Sequence, residues 1–236
     1  MSERSWECRV TPDTKRAAHS ERVGELSVII AIDGPAGAGK STVARRVAAE
    51  LGVDYLDTGA MYRAVTFGVL AREIDPADAH AVIEVCGQLE LDVGVDRVVV
   101  DGVDATSAIR GPEVTSAVSS VAANPQVRSI LVELQRAWVR NRGAGVVEGR
   151  DITTVVLPDA DLKLFVTASP KVRAERRVAE SGGNVDAVEA SIAERDRLDE
   201  TREASPLSIS SEAVVIDTSE MSIDDVVADV LSRVQG

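Results

Sequence analysis

Eight consecutive residues, Gly34-Pro35-Ala36-Gly37-Ala38-Gly39-Lys40-Ser41, match GxxxxGK[ST] at every fixed position. Glycines at this spacing let successive backbone N–H groups turn inward around phosphate oxygens. The amino end of a following helix adds partial positive charge, and Lys40 adds a full one. The Ser41 hydroxyl is placed to meet Mg²⁺. Lys40 is one of only four lysines among 26 basic residues, so its position is not a by-product of composition. The alternative, a glycine-rich turn that merely starts a helix, leaves the full eight-residue register unexplained. These residues point to a bound nucleoside triphosphate, although such a loop does not by itself choose among switches, motors and small-molecule kinases.

A second anion site is suggested further along. Between residues 128 and 150 five arginines (128, 136, 140, 142 and 150) face two glutamates, a local charge of +3 in a chain of net charge -13. Arg173, Arg176 and Arg177 fall at i, i+3 and i+4, one face of a helix, and Arg195, Asp199 and Arg202 at i, i+4 and i+7, again one face. Beside a triphosphate loop, an Arg-bearing hairpin is suited to closing over a transferring phosphoryl group and excluding water. The plainer alternative is a solvated helix pair laced with ion pairs to Glu175, Glu180, Glu194 and Asp196. The DxxG and NKxD sequences that guanine switches need do not occur.

The elements that must position these residues alternate. Ser27 to Ile32 is apolar and β-branched, as expected of a strand covered on both faces, and it runs directly into the glycine-rich turn. A helix is predicted from Lys40 to Leu51 with Gly52 as its stop. Further strands are predicted at 52–57, 145–148, 162–166 and 213–217, giving five parallel strands of an α/β sheet with helices on both faces. A last helix spans 222–234, with Ser222 and Asp225 as a capping box. Two stretches break the alternation. Residues 73–104 carry nine acidic side chains and one arginine, and the run from Leu91 to Gly102 predicts a small antiparallel meander, read as an insertion. Residues 170–205 predict a helical hairpin turning at Ser181-Gly182-Gly183-Asn184 and closed by Pro206.

Composition removes other classes. With 236 residues the prior favours one large domain, and 44% apolar and 28% charged residues fit a folded chain. The negative charge disfavours nucleic acid, and six aromatic residues are too few for a base-stacking platform. No apolar run approaches the ~20 residues of a membrane span. Cys8 and Cys86 stand far apart and His19 and His80 lack ligand spacing, so zinc and disulfide scaffolds are excluded. Residues 1–25 show no structural period or secretion signal, and are read as a disordered tail on a cytoplasmic chain.

Taken together, IDGPAGAGKST (32–42), LDTGAMYRAV (56–65), SSVAANPQVR (119–128), LQRAW (134–138), VEGRDITTVVLPDA (147–160) and RDRLDETREASPL (195–207) resemble the bacterial cytidylate kinases of the nucleoside monophosphate kinase group, from about residue 28 to the carboxyl terminus. The resemblance implies one P-loop kinase domain over 26–236, with a monophosphate-binding insertion near 73–118 and a lid near 170–205. It implies that Gly34 to Thr42 bind ATP. Arg63 and Arg150, joined by Arg202, would hold the acceptor's phosphate, with Ser119, Arg128 and Asp151 on the cytosine edge and Thr58 and Tyr62 lining that pocket. Arg195 and Asp199 would stand near the sugar hydroxyls. Lys40 and Arg150, with the lid's Arg173 and Arg177, would be catalytic. A guanidinium fork suits phosphate, and a carboxylate beside an arginine suits cytosine's amine, ring nitrogen and carbonyl. Asp151 has the alternative role of ion-pair partner to Arg150.

Three departures stand out. Glu148 occupies a position where many members carry Asp, Thr153 replaces a usual glycine, and Leu198 stands where some relatives are basic. The implied reaction is transfer of the γ-phosphoryl group of ATP, with Mg²⁺, to CMP or dCMP by a monomer that needs neither nucleic acid nor membrane. The rival readings are a kinase for UMP, AMP or a non-nucleotide acid, and a nucleotide-binding module without transfer.

Overall fold

The computed structural model describes residues 27–235, so the tail expected at 1–25 lies outside the described residues. The chain forms two compact units, one of residues 57–138 and one of 27–56 with 139–235.

The second unit is built on a five-stranded sheet in the order β2-β6-β1-β7-β8. Its strands are β1 (Ile29–Asp33), β2 (Tyr55–Asp57), β6 (Gly145–Glu148), β7 (Leu162–Thr167) and β8 (Val214–Asp217). β1 pairs in parallel with β6 and β7, and β7 with β8. The five predicted strands are all present, with ends shifted by up to three residues. Ile30, Ile32, Val146, Val147 and Leu164 are completely buried, which is why these strands read as continuous apolar runs rather than as alternation. Helix α1 (Lys40–Leu51) packs on β1 and β6 and against α8 (Ile223–Gln235). Gly52 stops α1 in the left-handed conformation, its N–H donating to Ala48 and Ala49 carbonyls. Ser222 caps α8 as expected, accepting from the Asp225 N–H at 3.2 Å.

The predicted hairpin consists of α6 (Pro170–Ser181) and α7 (Val185–Glu200), packed together. Ser169 accepts from Val172 N–H to start α6, and Asn184 accepts from Ala187 N–H to start α7. A π-helical turn, Ile152–Val156, follows β6.

In the first unit α2 (Thr58–Leu70) is the central helix, flanked by α3 (Ala79–Cys86) and α4 (Pro112–Ala123). The predicted meander is a three-stranded antiparallel sheet of β3 (Leu91–Val93), β4 (Val98–Val100) and β5 (Val103–Asp104). Helix α5 (Pro125–Arg142) leads out of this unit toward β6.

Candidate active site

Gly34 follows β1 with φ +146°, and a Cβ there would stand 1.9 Å from the Val166 carbonyl oxygen on β7. Only glycine permits that approach. Gly39 caps α1 in the left-handed conformation with no side-chain cap, so the helix's first N–H groups are not taken by a capping side chain.

The loop's carbonyls are engaged by cations one after another. Arg150 Nη1 donates to Gly34 O at 2.9 Å, Lys40 Nζ to Pro35 O at 2.8 Å, Arg173 Nη1 to Ala36 O at 3.1 Å and Arg176 Nη1 to Ala38 O at 3.5 Å. A turn whose carbonyls are engaged by cations presents its N–H groups to an anion. Lys40 is buried. Burial, then the charge of Arg150, pulls its ammonium down to about 7 from its ordinary 10.5, although Glu148 and Asp33 oppose this. A phosphate against the ammonium would restore its charge.

The hairpin arginines fulfil their predicted spacing unequally. Arg173 is buried and pinned: Nε donates to Ala168 O at 3.0 Å, and Nη1 to Asp196 Oδ2 at 2.5 Å as well as to Ala36 O. Arg177 is not brought to the loop, because the loop lies on the Arg173–Arg176 side of α6. Instead it reaches Glu180 at 3.6 Å, half exposed. Arg176, read from sequence only as part of the hairpin's arginine face, lies beside the loop, its Nη2 donating to Thr218 O at 2.7 Å.

Arg150 Nε pairs with Asp199 at 2.8 Å, and Arg202 Nη2 with the other oxygen of the same carboxylate at 3.0 Å. The Arg150 partner is thus Asp199, not the adjacent Asp151. Burial pushes the Asp199 carboxyl up, but Arg150, then Arg202, with Arg195 behind them, outweigh it and hold the group below its ordinary value. Asp151 is buried at the start of the π-helical turn, and its carbonyl accepts from the N–H groups of Val155 and Val156. Glu148 is buried at the end of β6, where the Tyr55 hydroxyl donates to it at 2.5 Å. Elsewhere in the cationic stretch Arg136 pairs with Glu133 and Arg142 with Asp54.

The first unit gathers the other predicted residues around α2. Thr58 opens the helix, Tyr62 stands one turn on, and both are buried. Arg128 of α5 is buried with its guanidinium 5.4 Å from the Tyr62 ring centroid, a cation–π pair. Arg63 donates from Nη1 to Ile109 O and to Thr115 Oγ1, both at 2.9 Å. Ser119 lies half-buried on α4.

Among the described residues no group of His, Cys, Asp and Glu could hold a metal by itself. The Ser41 hydroxyl beside an open loop fits a Mg²⁺ held chiefly by donor phosphates.

A family model for cytidylate kinase matches residues 30–236. The chain is 50% identical to the cytidylate kinase of Mycobacterium leprae over 213 residues, covering 88% of this chain and 96% of that protein. It is 52% identical to the cytidylate kinase of Corynebacterium efficiens, covering 84% and 90%. It is also 51% identical over 212 residues to the bifunctional pantoate ligase/cytidylate kinase of Synechococcus, of which it spans 43%. A solved structure of an uncharacterized protein from Eubacterium ventriosum shares the fold, with a TM-score of 0.53 at 13% identity over 89% of this chain and 98% of that one. The chain belongs to the cytidylate kinase family.

Proposed function

We propose that this chain transfers the γ-phosphoryl group of ATP to CMP or dCMP, giving ADP and the nucleoside diphosphate. The observation that carries this reading is the ring of four cations, Arg150, Lys40, Arg173 and Arg176, set on the carbonyls of Gly34, Pro35, Ala36 and Ala38. Phosphoryl transfer needs alignment and charge neutralisation more than covalent help, and preorganised cations supply both.

In this reading the backbone from Gly34 to Thr42 and the Lys40 ammonium hold the donor phosphates. Mg²⁺, bound by the Ser41 hydroxyl and those phosphates, would neutralise charge as the bond to the leaving oxygen breaks. Arg173 meets the transferred group, and Arg177 joins it when the hairpin of about 170–205 closes as a lid. Arg63, Arg150 and Arg202 hold the acceptor's phosphate, Ser119, Arg128 and Asp151 read cytosine, Thr58 and Tyr62 line its pocket, and Arg195 and Asp199 face the sugar. The insertion of about 73–118 serves the acceptor. The chain acts as a monomer in the cytoplasm, in keeping with its acidity and with the absence, among the described residues, of a helix long and apolar enough to cross a membrane.

The test is ADP release with ATP, Mg²⁺ and each of CMP, dCMP, UMP and AMP. Rapid turnover of CMP and dCMP with little of AMP is expected. A preference for AMP, or ADP release indifferent to the acceptor, would overturn the reading.

A further inference from the structure

Asp33 ends β1 immediately before Gly34 and is completely buried. Its charge is felt by the Lys40 ammonium, but its carboxylate makes no direct ion pair among the described residues. Instead it accepts three hydrogen bonds from one place 119 and 120 residues later: Ile152 N–H at 2.8 Å, Thr153 N–H at 2.8 Å and the Thr153 hydroxyl at 2.7 Å. A carboxylate taken out of water is retained only where donors meet it with good geometry. Here the donors are the first two residues of the π-helical turn, both buried, directly after Arg150 and Asp151.

The next residue grips the same turn from its other end, since Gly34 O accepts from Arg150 Nη1 at 2.9 Å. Two consecutive residues at the base of the phosphate loop therefore hold a four-residue stretch at both ends. The Asp33 carboxylate takes residues 152 and 153, and the Gly34 carbonyl takes the Arg150 guanidinium. Asp151 lies between the two grips, buried at the start of the turn.

We propose that Asp33 and Thr153 are positioning residues that fix Arg150 and Asp151 in register with the phosphate loop, and thereby set affinity and base selection for the acceptor nucleotide. Neither touches substrate; each acts through its neighbours. The Thr153 hydroxyl is the one contribution to this clamp that a side-chain substitution removes without disturbing the two backbone bonds. The inference rests on the reading that Arg150 and Asp151 meet the acceptor.

The experiment compares Thr153→Val, which keeps the shape and loses the hydroxyl, with Thr153→Ser, which keeps the hydroxyl. A lost hydrogen bond to a buried charged group corresponds to a change of about tenfold. Thr153→Val should raise KM for CMP by about that factor and reduce the preference for CMP over UMP. KM for ATP should stay within about twofold, and Thr153→Ser should recover most of the loss. The proposal is overturned if valine and serine variants behave alike. It is equally overturned if valine impairs CMP and ATP to the same extent alongside a lower Tm, the mark of a merely structural role. Should Thr153→Val fail to fold, Thr153→Ala supplies the same comparison. Arg150→Lys and Asp151→Asn test the underlying reading separately. If they leave CMP kinetics untouched, that reading fails, whereas if they impair CMP and Thr153→Val does not, only the clamp fails.

Discussion

Arg173 and Asp196 form a buried ion pair at 2.5 Å between the two helices of the hairpin, and the same guanidinium nitrogen also holds the Ala36 carbonyl of the phosphate loop. Asn in place of Asp196 keeps the shape of the pair but removes its negative charge, leaving the buried Arg173 guanidinium uncompensated. Asp196→Asn should lower kcat by about tenfold with KM for CMP little changed, because it loosens the arginine proposed to meet the transferred group. Steady-state kinetics with both substrates varied would check this; an unchanged kcat removes Arg173 from the transfer step.

Lys40 is the loop's own ammonium, and a single transition-state cation is typically worth a factor of ~10² to 10³ in rate. Lys40→Ala should therefore nearly abolish turnover while circular dichroism and Tm stay close to those of the parent chain. Parental turnover in this variant would remove the loop from the chemistry.

Gly34→Ala places a methyl group 1.9 Å from the Val166 carbonyl at a positive φ. The β7 backbone cannot yield as a flexible side chain would, so the loop must move. Binding of a nonhydrolysable ATP analogue, measured by calorimetry, should weaken by at least about tenfold, the scale of a strained backbone position. Binding at the parental affinity would show that the loop geometry does not matter.

Asp151→Asn tests the base. Cytosine offers an amine to a carboxylate and uracil does not, so kcat/KM for CMP should fall by about 10²-fold and that for UMP by far less. Equal losses would move base recognition to other residues.

The pH dependence of stability follows from Asp199, whose carboxyl is held below its ordinary value of 3.8 by Arg150 and Arg202 against the opposing effect of burial. A depressed carboxyl contributes stability that is present above pH 3.8 and is lost as the pH falls through the folded-state value. The Tm difference between the parent and Asp199→Asn should thus be large at neutral pH and shrink below pH 3.8. A difference independent of pH would show that the variant loses packing, not charge.

What the sequence discloses depends on how local the determinant is. The phosphate loop is legible because all its parts lie within eight residues, and the hairpin because Gly182, Gly183 and Asn184 punctuate it. Helices α4 and α5 meet at Asn124-Pro125, a boundary that the proline marks but that the strand–helix alternation does not call for. The arginine spacing on α6 defines a face but not which edge of it meets the loop. Arg176 therefore stands against the loop, joined to Thr218, 42 residues away. Asp33 gave no signal at all, since an aspartate ending a strand is unremarkable until its partners, 119 and 120 residues later, are folded onto it.

The carboxylates of α7 have one more consequence. Arg150 and Arg173 already carry Asp199 and Asp196 as internal counter-ions, so under the proposed roles an arriving nucleotide would exchange one anion for another instead of stripping mobile ions from a bare basic surface. Affinity that depends little on the release of mobile ions declines only gently with added salt. On that reading a chain this acidic would keep its phosphate grip at ionic strengths that would loosen an open cluster of arginines.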